Sequence, residues 1–244
     1  GIGLPVCTAC PETGIILGSG PGLPGLPPMI GSSGCIVEVV RAEAQRVYNG
    51  LTQPLANLLI RSGVTPNQIT TVGAVVVVLS AVAFAIGWIR LGGGLLVLSG
   101  VIDTLDGQVA RSSGQATRFG AFYDSTLDRV GDGATFIGIA AYLLTTPGIH
   151  LPVVGVVFCM LAVLLSLLVS YARARAEGLG VECKVGVIQR AERILLLGVP
   201  TLLVGPGPDG RLLLGIVALL ALGSAVTVVQ RFHHVYQVTV ADRG

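Results

Sequence analysis

Charged side chains are scarce in this sequence. Asp, Glu, Lys and Arg together make up 11% of the 244 residues, whereas soluble domains contain about 25%. Hydrophobic residues account for 52%, and the mean hydropathy is +0.82. These values exclude an ordinary soluble domain. The net charge is only +2 and no nucleic-acid-binding motif is present, so nucleic acid is not an expected partner.

Cysteine is also sparse and unevenly placed. The first two cysteines form a single C-x-x-C pair, Cys7 and Cys10, with no second pair and no histidine nearby. A structural zinc site needs four ligands, so this pair alone does not favour one. Cys35, Cys159 and Cys183 are scattered along the chain. Neither a zinc module nor a disulfide framework is expected.

Long uncharged runs take the place of charge. A helix needs about 20 apolar residues to cross the hydrocarbon core of a bilayer, and such runs recur along this chain. They predict an all-α, polytopic membrane protein with six transmembrane helices. The predicted spans are 68–89, 92–112, 118–145, 151–176, 187–205 and 211–236. With this layout, 13 of the 15 Lys and Arg residues lie on the side of the two termini, which the positive-inside rule assigns to the cytoplasm.

Four regions differ in composition. Residues 1–34 are rich in Gly and Pro and predict a disordered or non-native leader. Residues 35–63 have an apolar side and a charged side, which predicts an amphipathic helix along the membrane surface. The six spans form a domain over 64–238, and 239–244 are a tail.

Four aspartates stand out against this apolar background: Asp103, Asp106, Asp124 and Asp128. Residues three or four apart share one face of a helix, so each pair points in a single direction. Four carboxylates brought together in an apolar site would repel strongly unless cations were bound between them. Oxygen ligands without His or Cys favour Mg²⁺, Mn²⁺ or Ca²⁺ over zinc. The sequence therefore predicts a divalent-metal site.

The residues between these carboxylates are small or basic. Gly107 and Ala110 leave room for a ligand beside Asp106, and Gly120 lets the second acidic helix approach closely. Arg111 offers a planar fork of donors that suits a phosphate. Together these residues indicate a pyrophosphate carried on a divalent metal ion.

This pattern resembles the signature of the CDP-alcohol phosphotransferase family, D-x-x-D-G-x-x-A-R-x8-G-x3-D-x3-D. All eight signature positions are present at the required spacing. They are Asp103, Asp106, Gly107, Ala110, Arg111, Gly120, Asp124 and Asp128. The resemblance implies an integral membrane enzyme, a homodimer, that moves a substituted phosphate from a CDP-alcohol to a second alcohol and releases CMP.

The resemblance also implies roles for the four aspartates. In the family the first three bind two divalent cations, Mg²⁺ or Mn²⁺, which corresponds to Asp103, Asp106 and Asp124 here. Asp128 corresponds to the proposed base and is a candidate further ligand. Asp132 lies one turn beyond Asp128, and we expect it to pair with Arg129 or with another helix rather than with metal.

The stretch before the first span has two interpretations. Thr65 or Asn67 can cap the helix, with Pro66 in its first turn. The same stretch resembles the P-N-x-x-T segment of the family, which lies beside the nucleotide. On that interpretation Pro66 and Asn67 also line the CDP site.

Arginines at three predicted helix ends bear on the second substrate. Positive-inside anchoring accounts for some of this charge, but several arginines converging on one cavity would instead bind a phosphate on the acceptor. The candidates are Arg173, Arg175, Arg190, Arg193 and Arg231.

These stretches resemble one subgroup of the family, the phosphatidylinositol-phosphate synthases and their archaeal relatives. That resemblance implies transfer of the phosphatidyl group from CDP-diacylglycerol to inositol 1-phosphate. Gln189 and Ala191 depart from the Glu and Pro of the subgroup's E-R-P-E-R segment. Glycerol 3-phosphate, giving phosphatidylglycerophosphate, is the alternative acceptor because it also carries a phosphate. The non-enzyme alternative is a cation transporter, since intramembrane aspartates also mark ion pathways.

Overall fold

The computed structural model describes residue 53, residues 58–60 and residues 62–241. The predicted leader at 1–34 lies outside these residues, as does most of the amphipathic helix predicted at 35–63. The C-x-x-C pair and Cys35 also lie outside. Cys159 and Cys183 are buried and free.

Within residues 62–241 the chain forms six α-helices and no β-strand, which confirms the predicted all-α class. The helices are α1 (Pro66–Ala85), α2 (Ile89–Ser112), α3 (Arg118–Thr145), α4 (Pro152–Gly178), α5 (Arg190–Leu203) and α6 (Arg211–Ala241). A short 3₁₀ helix, Pro208–Gly210, precedes α6. Helix α3 has the predicted ends, whereas α6 continues past the predicted domain boundary at 238.

Among the described residues, three helices are long and apolar enough to cross a membrane: α1, α4 and the combined stretch Pro208–Ala241. Helices α2 and α3 carry the aspartates, which lower their hydropathy. Helix α5 has 14 residues, and at about 1.5 Å per residue it is shorter than a hydrocarbon core of about 30 Å. Large apolar side chains such as Leu79, Met160 and Leu222 are exposed on the outer surface, as expected of a membrane protein.

The six helices pack as a closed ring. Helix α1 packs against α2 and α3, α2 packs against α5, and α5 contacts α6. Helix α6 packs against α4, which returns to α3. The side chains of Phe84, Ile139, Leu143, Leu213 and Leu220 are almost fully buried in the apolar core. Because consecutive helices alternate in direction, the starts of α1, α3 and α5 meet the ends of α2, α4 and α6.

Two glycines allow helix backbones to touch. A side chain at Gly138 would collide with the carbonyl oxygen of Ala81 in α1, and one at Gly93 would collide with Thr201 in α5. Small residues at such crossings let helices approach closely in membranes, where apolar burial alone gives little driving force between helices. These contacts bring α2 and α3, the two acidic helices, against the rest of the ring.

Helix caps fix the backbone at the site end of the ring. Thr65 caps α1, and its backbone N–H donates to Oε1 of Gln68 at 2.9 Å. In α3 the hydroxyl of Thr117 accepts from the backbone N–H of Gly120 at 2.9 Å. Asn67 lies in the first turn of α1 rather than at its cap, so its side chain is not used for capping.

Candidate metal and substrate site

Three of the predicted metal ligands meet where the end of α2 faces the start of α3. Asp103 and Asp106 come from α2 and Asp124 comes from α3, and one carboxylate oxygen of each lies within 4.8 Å of the others. The helical spacing explains this arrangement, because each acidic pair projects from one face of its helix. The residues of this three-carboxylate cluster are inside the protein or partly shielded, and Asp106 is 6% exposed.

Thr70 in α1 holds the most buried of these carboxylates. Its hydroxyl donates to Oδ2 of Asp106 at 2.6 Å. Sequence reasoning did not single out Thr70, although it is the threonine of the P-N-x-x-T segment. The contact shows what that segment provides here: α1 brings a hydrogen-bond donor to an aspartate of α2.

The three-carboxylate cluster fits a divalent cation. Its ligand atoms are all carboxylate oxygens, which hard cations prefer. Oδ1 of Asp124 is buried and has no hydrogen-bond partner among the described residues. A buried carboxylate oxygen without a partner is costly in a protein, and a bound cation would satisfy it.

Asp128 lies one turn further along α3 and contacts an arginine instead. Nη2 of Arg190 lies 2.9 Å from Oδ1 of Asp128, while Nη1 of the same guanidinium lies 2.7 Å from Oδ2 of Asp103. Arg190 is the first residue of α5 and was predicted to bind the acceptor phosphate. The structure places this arginine in direct contact with the acidic site.

Asp132, one further turn along α3, pairs with Arg193. Nη2 of Arg193 lies 2.6 Å from Oδ2 of Asp132, and the Arg193 side chain is only 6% exposed. Nε of Arg190 lies 4.0 Å from Oδ1 of Asp132. The expectation that Asp132 pairs with another helix is therefore confirmed.

The residues predicted to contact CDP lie around the same helix ends. Arg111 is exposed and folds over Gly107, where an added methyl group would lie 3.3 Å from its Nη1. Oδ1 of Asn67 would lie 3.2 Å from a methyl group on Gly120, so α1 and α3 approach closely at this point. The remaining two predicted positions, Pro66 and Ala110, are half-buried.

The other predicted acceptor arginines differ in environment. Arg173 pairs with Glu177 at 2.8 Å on the half-exposed end of α4, and Arg175 is exposed. Residues two apart leave a helix on different sides, so these two cannot face one cavity together. Arg231 is 3% exposed, and its guanidinium donates to the backbone carbonyls of Val185 and Val169.

Three polar side chains of α6 form hydrogen-bond contacts with the backbone of the loop at 179–189. The hydroxyl of Thr227 accepts from the backbone N–H of Ile188 at 3.0 Å, and Nε of Arg231 donates to the carbonyl of Val185 at 2.9 Å. A ring nitrogen of His234 lies 3.0 Å from the carbonyl oxygen of Glu182. Sequence reasoning missed Thr227 and His234, because nothing in an irregular loop indicates which helix its backbone will meet. This loop leads directly into Arg190.

The fold and the site together define a class: a helical membrane protein with a three-carboxylate cluster at one end of its ring of helices. The chain belongs to the CDP-alcohol phosphatidyltransferase family, whose sequence model matches residues 63–230. It is therefore a phosphatidyltransferase. All acidic residues of α2 and α3 lie between 103 and 132, at one end of the ring. Family membership and this placement support an enzyme over the cation transporter.

Within this family, the chain is similar to synthases of inositol phosphate lipids. The chain is 38% identical over 204 residues to the phosphatidylinositol phosphate synthase of Cutibacterium acnes, covering 80% of this chain and 95% of the relative. It is 41% identical over 194 residues to the archaetidylinositol phosphate synthase of Methanothermobacter thermautotrophicus, covering 78% and 91%.

Solved structures of a third relative resemble the fold. The crystal structure of Mycobacterium tuberculosis phosphatidylinositol phosphate synthase with CDP-DAG bound matches with a TM-score of 0.66 and 34% identity, covering 76% of this chain and 93% of the other. The structure of the same enzyme with manganese and citrate matches with a TM-score of 0.67, covering 76% and 88%.

Proposed function

We propose that this protein transfers the phosphatidyl group of CDP-diacylglycerol to inositol 1-phosphate and releases CMP. The observation that carries the proposal is the contact of Arg190 with both Asp103 and Asp128. This contact joins a basic region suited to a phosphorylated acceptor to an acidic region suited to a metal-bound pyrophosphate. The names of the relatives, which are inositol phosphate lipid synthases, support the same substrates.

The donor side of the site consists of α1, α2 and α3. Asp103, Asp106 and Asp124 would hold divalent cations, Mg²⁺ or Mn²⁺, and two ions are the number that the family resemblance implies. Such ions, when bound, neutralise the pyrophosphate and polarise the phosphoryl oxygens. Arg111 extends from the end of α2 and is free to reach a phosphate from the exposed side.

Small residues and α1 complete the CDP side. Gly107 and Ala110 leave space along α2, and Gly120 leaves space between α3 and Asn67. Pro66 begins α1 beside them. We assign these five residues to the nucleotide, because three of them are small residues of α2 and α3 and the other two begin α1.

Asp128 is the proposed base. The acceptor hydroxyl oxygen forms a bond to the phosphorus that carries diacylglycerol, and its proton passes to a carboxylate oxygen of Asp128. The bond from that phosphorus to the bridging oxygen breaks, and CMP leaves with the bridging oxygen. A carboxylate is a weak base toward an alcohol, so orientation and charge neutralisation must supply most of the acceleration.

The acceptor side consists of the basic ends of α4, α5 and α6. Arg190 and Arg193 lie next to Asp128 and Asp132, while Arg173 lies near the end of α4 and Arg231 in the second half of α6. We propose that these arginines bind the acceptor phosphate. Arg175, which is exposed and leaves α4 on another side, is proposed to contact the outer edge of the acceptor or anionic lipid.

We further propose that the domain at 64–238 crosses the cell membrane six times, with the site on the cytoplasmic side; the fifth crossing, predicted at 187–205, includes α5 and the residues that flank it. The distribution of Lys and Arg supports this orientation, and a water-soluble product such as CMP requires an aqueous exit. Cysteine accessibility at the loop 179–189 and at the turn 146–150 is the test of sidedness. The homodimer that the family resemblance implies stays a prediction, which the mass of the detergent-solubilised particle would test.

The acceptor is tested directly with detergent-solubilised enzyme, CDP-diacylglycerol and Mg²⁺ or Mn²⁺. We expect CMP release with inositol 1-phosphate and little release with inositol, glycerol 3-phosphate or serine. Faster turnover with glycerol 3-phosphate would replace the proposed product by phosphatidylglycerophosphate. Absence of CMP release with every phosphorylated alcohol would overturn the proposed reaction.

A further inference from the structure

Asp132 is an acidic residue that the metal site does not use. It lies in α3, one turn past Asp128, and its side chain is 14% exposed. Its carboxylate faces α5 rather than the three-carboxylate cluster. The two nearest cations are the first residue of α5 and the arginine one turn later, Arg190 and Arg193.

Asp132 engages Arg193 through a single nitrogen. Nη2 of Arg193 lies 2.6 Å from Oδ2 of Asp132. The other two nitrogens of that guanidinium, Nε and Nη1, are buried and have no hydrogen-bond partner among the described residues. A buried guanidinium held on one side only keeps its remaining donors available for another anion.

Asp132 also bears on Arg190. Its Oδ1 lies 4.0 Å from Nε of Arg190, whose two Nη atoms contact Asp103 and Asp128. One carboxylate therefore faces one edge of both guanidinium groups. The attraction of this fixed charge limits the directions in which the two arginines can turn, since side chains held by charged hydrogen bonds lose little further freedom on binding a ligand.

We propose that Asp132 is a positioning residue for the acceptor phosphate, orienting Arg193 and Arg190 toward the site. The inference rests on the proposed function, because it requires a phosphorylated acceptor. It assigns Asp132 no contact with the reacting atoms. Its effect therefore falls on acceptor binding and not on the donor or the metal.

The test compares Asp132→Asn with the wild-type full-length chain in detergent. Asn keeps the shape of the side chain but removes its charge. We expect the KM for inositol 1-phosphate to rise about tenfold or more, while the KM for CDP-diacylglycerol and the affinity for Mn²⁺, measured by electron paramagnetic resonance, change less than about twofold. Asp209→Asn, in the 3₁₀ helix Pro208–Gly210 at the end of the ring away from the site, is the matched control for loss of one carboxylate and should leave all three values unchanged.

A double-mutant cycle separates positioning from a general effect on folding. In an Arg193→Gln background, Asp132→Asn should add less than about twofold to the acceptor KM, because its closer partner is gone and only the contact with Arg190 at 4.0 Å remains. If Asp132→Asn does not fold, Asp132→Glu serves instead, with a rise of about threefold that is again confined to the acceptor KM. An unchanged acceptor KM, or equal losses for donor, metal and acceptor, would overturn the proposal.

The same assays distinguish failure of the positioning role of Asp132 from failure of the proposed function. Turnover with glycerol 3-phosphate instead of inositol 1-phosphate would correct the acceptor, and the effect of Asp132→Asn on the KM for glycerol 3-phosphate would then decide the positioning role. Wild-type turnover with only unphosphorylated alcohols would overturn both the proposed function and the role of Asp132.

Discussion

The guanidinium of Arg190 lies between Asp103 and Asp128, 2.7 Å from the first carboxylate and 2.9 Å from the second. It thus connects the three-carboxylate cluster, through Asp103, to Asp128, which lies outside the cluster. A cation fixed beside metal ligands repels a divalent ion and competes for one of its ligands.

We therefore expect Arg190→Gln to have opposite effects on metal and acceptor. The affinity for Mn²⁺ should rise by about tenfold because a competing charge is removed. The KM for inositol 1-phosphate should also rise, because a phosphate partner is lost. Titration of Mn²⁺ by electron paramagnetic resonance measures the first effect, and Arg211→Gln, which removes an exposed charge at the far end of α6, is the control. Weaker Mn²⁺ binding by Arg190→Gln would show that Arg190 supports the metal site instead of competing with it.

We expect Thr70 to increase the affinity of the three-carboxylate cluster for a divalent cation, because its hydroxyl donates a hydrogen bond to Asp106. Thr70→Val keeps the shape but removes the hydroxyl that donates to Oδ2 at 2.6 Å. Loss of a hydrogen bond to a metal ligand weakens metal binding by about 10- to 100-fold. The neighbouring Thr71→Val is the matched control, since that hydroxyl contacts Tyr123 and not an aspartate. Equal Mn²⁺ affinities for the two variants would contradict the role of Thr70.

Helical periodicity explains why the three-carboxylate cluster could be predicted from sequence. The spacing of Asp103, Asp106 and Asp124 determines which side of each helix they occupy, and two faces that carry buried charge have few ways to meet. The partner of Asp106 could not be predicted in this way. Thr70 reaches it from α1 only because α1 crosses α2 at that point, and a crossing depends on packing between helices that are distant in sequence.

The arginines show where sequence reasoning ends. Charge content predicted a basic region but not the different contacts within it. Arg190 and Arg193 face aspartates of α3, whereas Arg173 pairs with its own helix through Glu177. The direction of α5 depends on an irregular loop at 179–189 that has no repeating pattern. Hydrogen bonds from α6 fix that loop, and these form only in the folded ring.

The hydrogen bond between Thr227 of α6 and this loop predicts that substitution of Thr227 lowers the free energy of unfolding. Thr227→Val would leave the buried backbone N–H of Ile188 without its acceptor at 3.0 Å. An unsatisfied buried donor costs about 1–3 kcal/mol, so the free energy of unfolding should fall by that amount. Thr239→Val is the control, because its hydroxyl bonds only to carbonyls of its own helix. Thermal unfolding in detergent is the measurement. Equal midpoints for the two variants would show that the hydrogen bond between Thr227 and Ile188 does not stabilise the fold.

Substitution of Gly120 tests whether the space between α1 and α3 is needed for binding of CDP-diacylglycerol. In Gly120→Ala the new methyl group would lie 3.1 Å from Oγ1 of Thr117 and 3.2 Å from Oδ1 of Asn67, closer than most such contacts. We expect the KM for CDP-diacylglycerol to rise by about tenfold, with little effect on the KM for the acceptor. Gly133→Ala, on the same helix with open space around it, is the matched control. A rise confined to the acceptor KM would move Gly120 out of the nucleotide site.

Asp128 differs from the three clustered aspartates in its partner, and this difference makes its role testable. Because its carboxylate contacts Arg190 and not the cluster, Asp128→Asn should leave the metal ligands in place. We expect CMP release to fall by at least about 100-fold, since the proposed base is removed. Binding of CDP-diacylglycerol in the presence of Mn²⁺ should survive, as measured by equilibrium binding of the radiolabelled lipid.

The control for Asp128→Asn is Asp106→Asn, which changes a residue of the three-carboxylate cluster and should weaken Mn²⁺ binding as well as turnover. If Asp128→Asn loses metal-dependent lipid binding to the same extent, Asp128 is a ligand in its own right. If instead it retains full turnover, the proton must pass to another group. The carboxylate of α3 that lies outside the three-carboxylate cluster is then Asp132, which contacts Nη2 of Arg193 at 2.6 Å, and Asp132→Asn would test whether the proton passes to it.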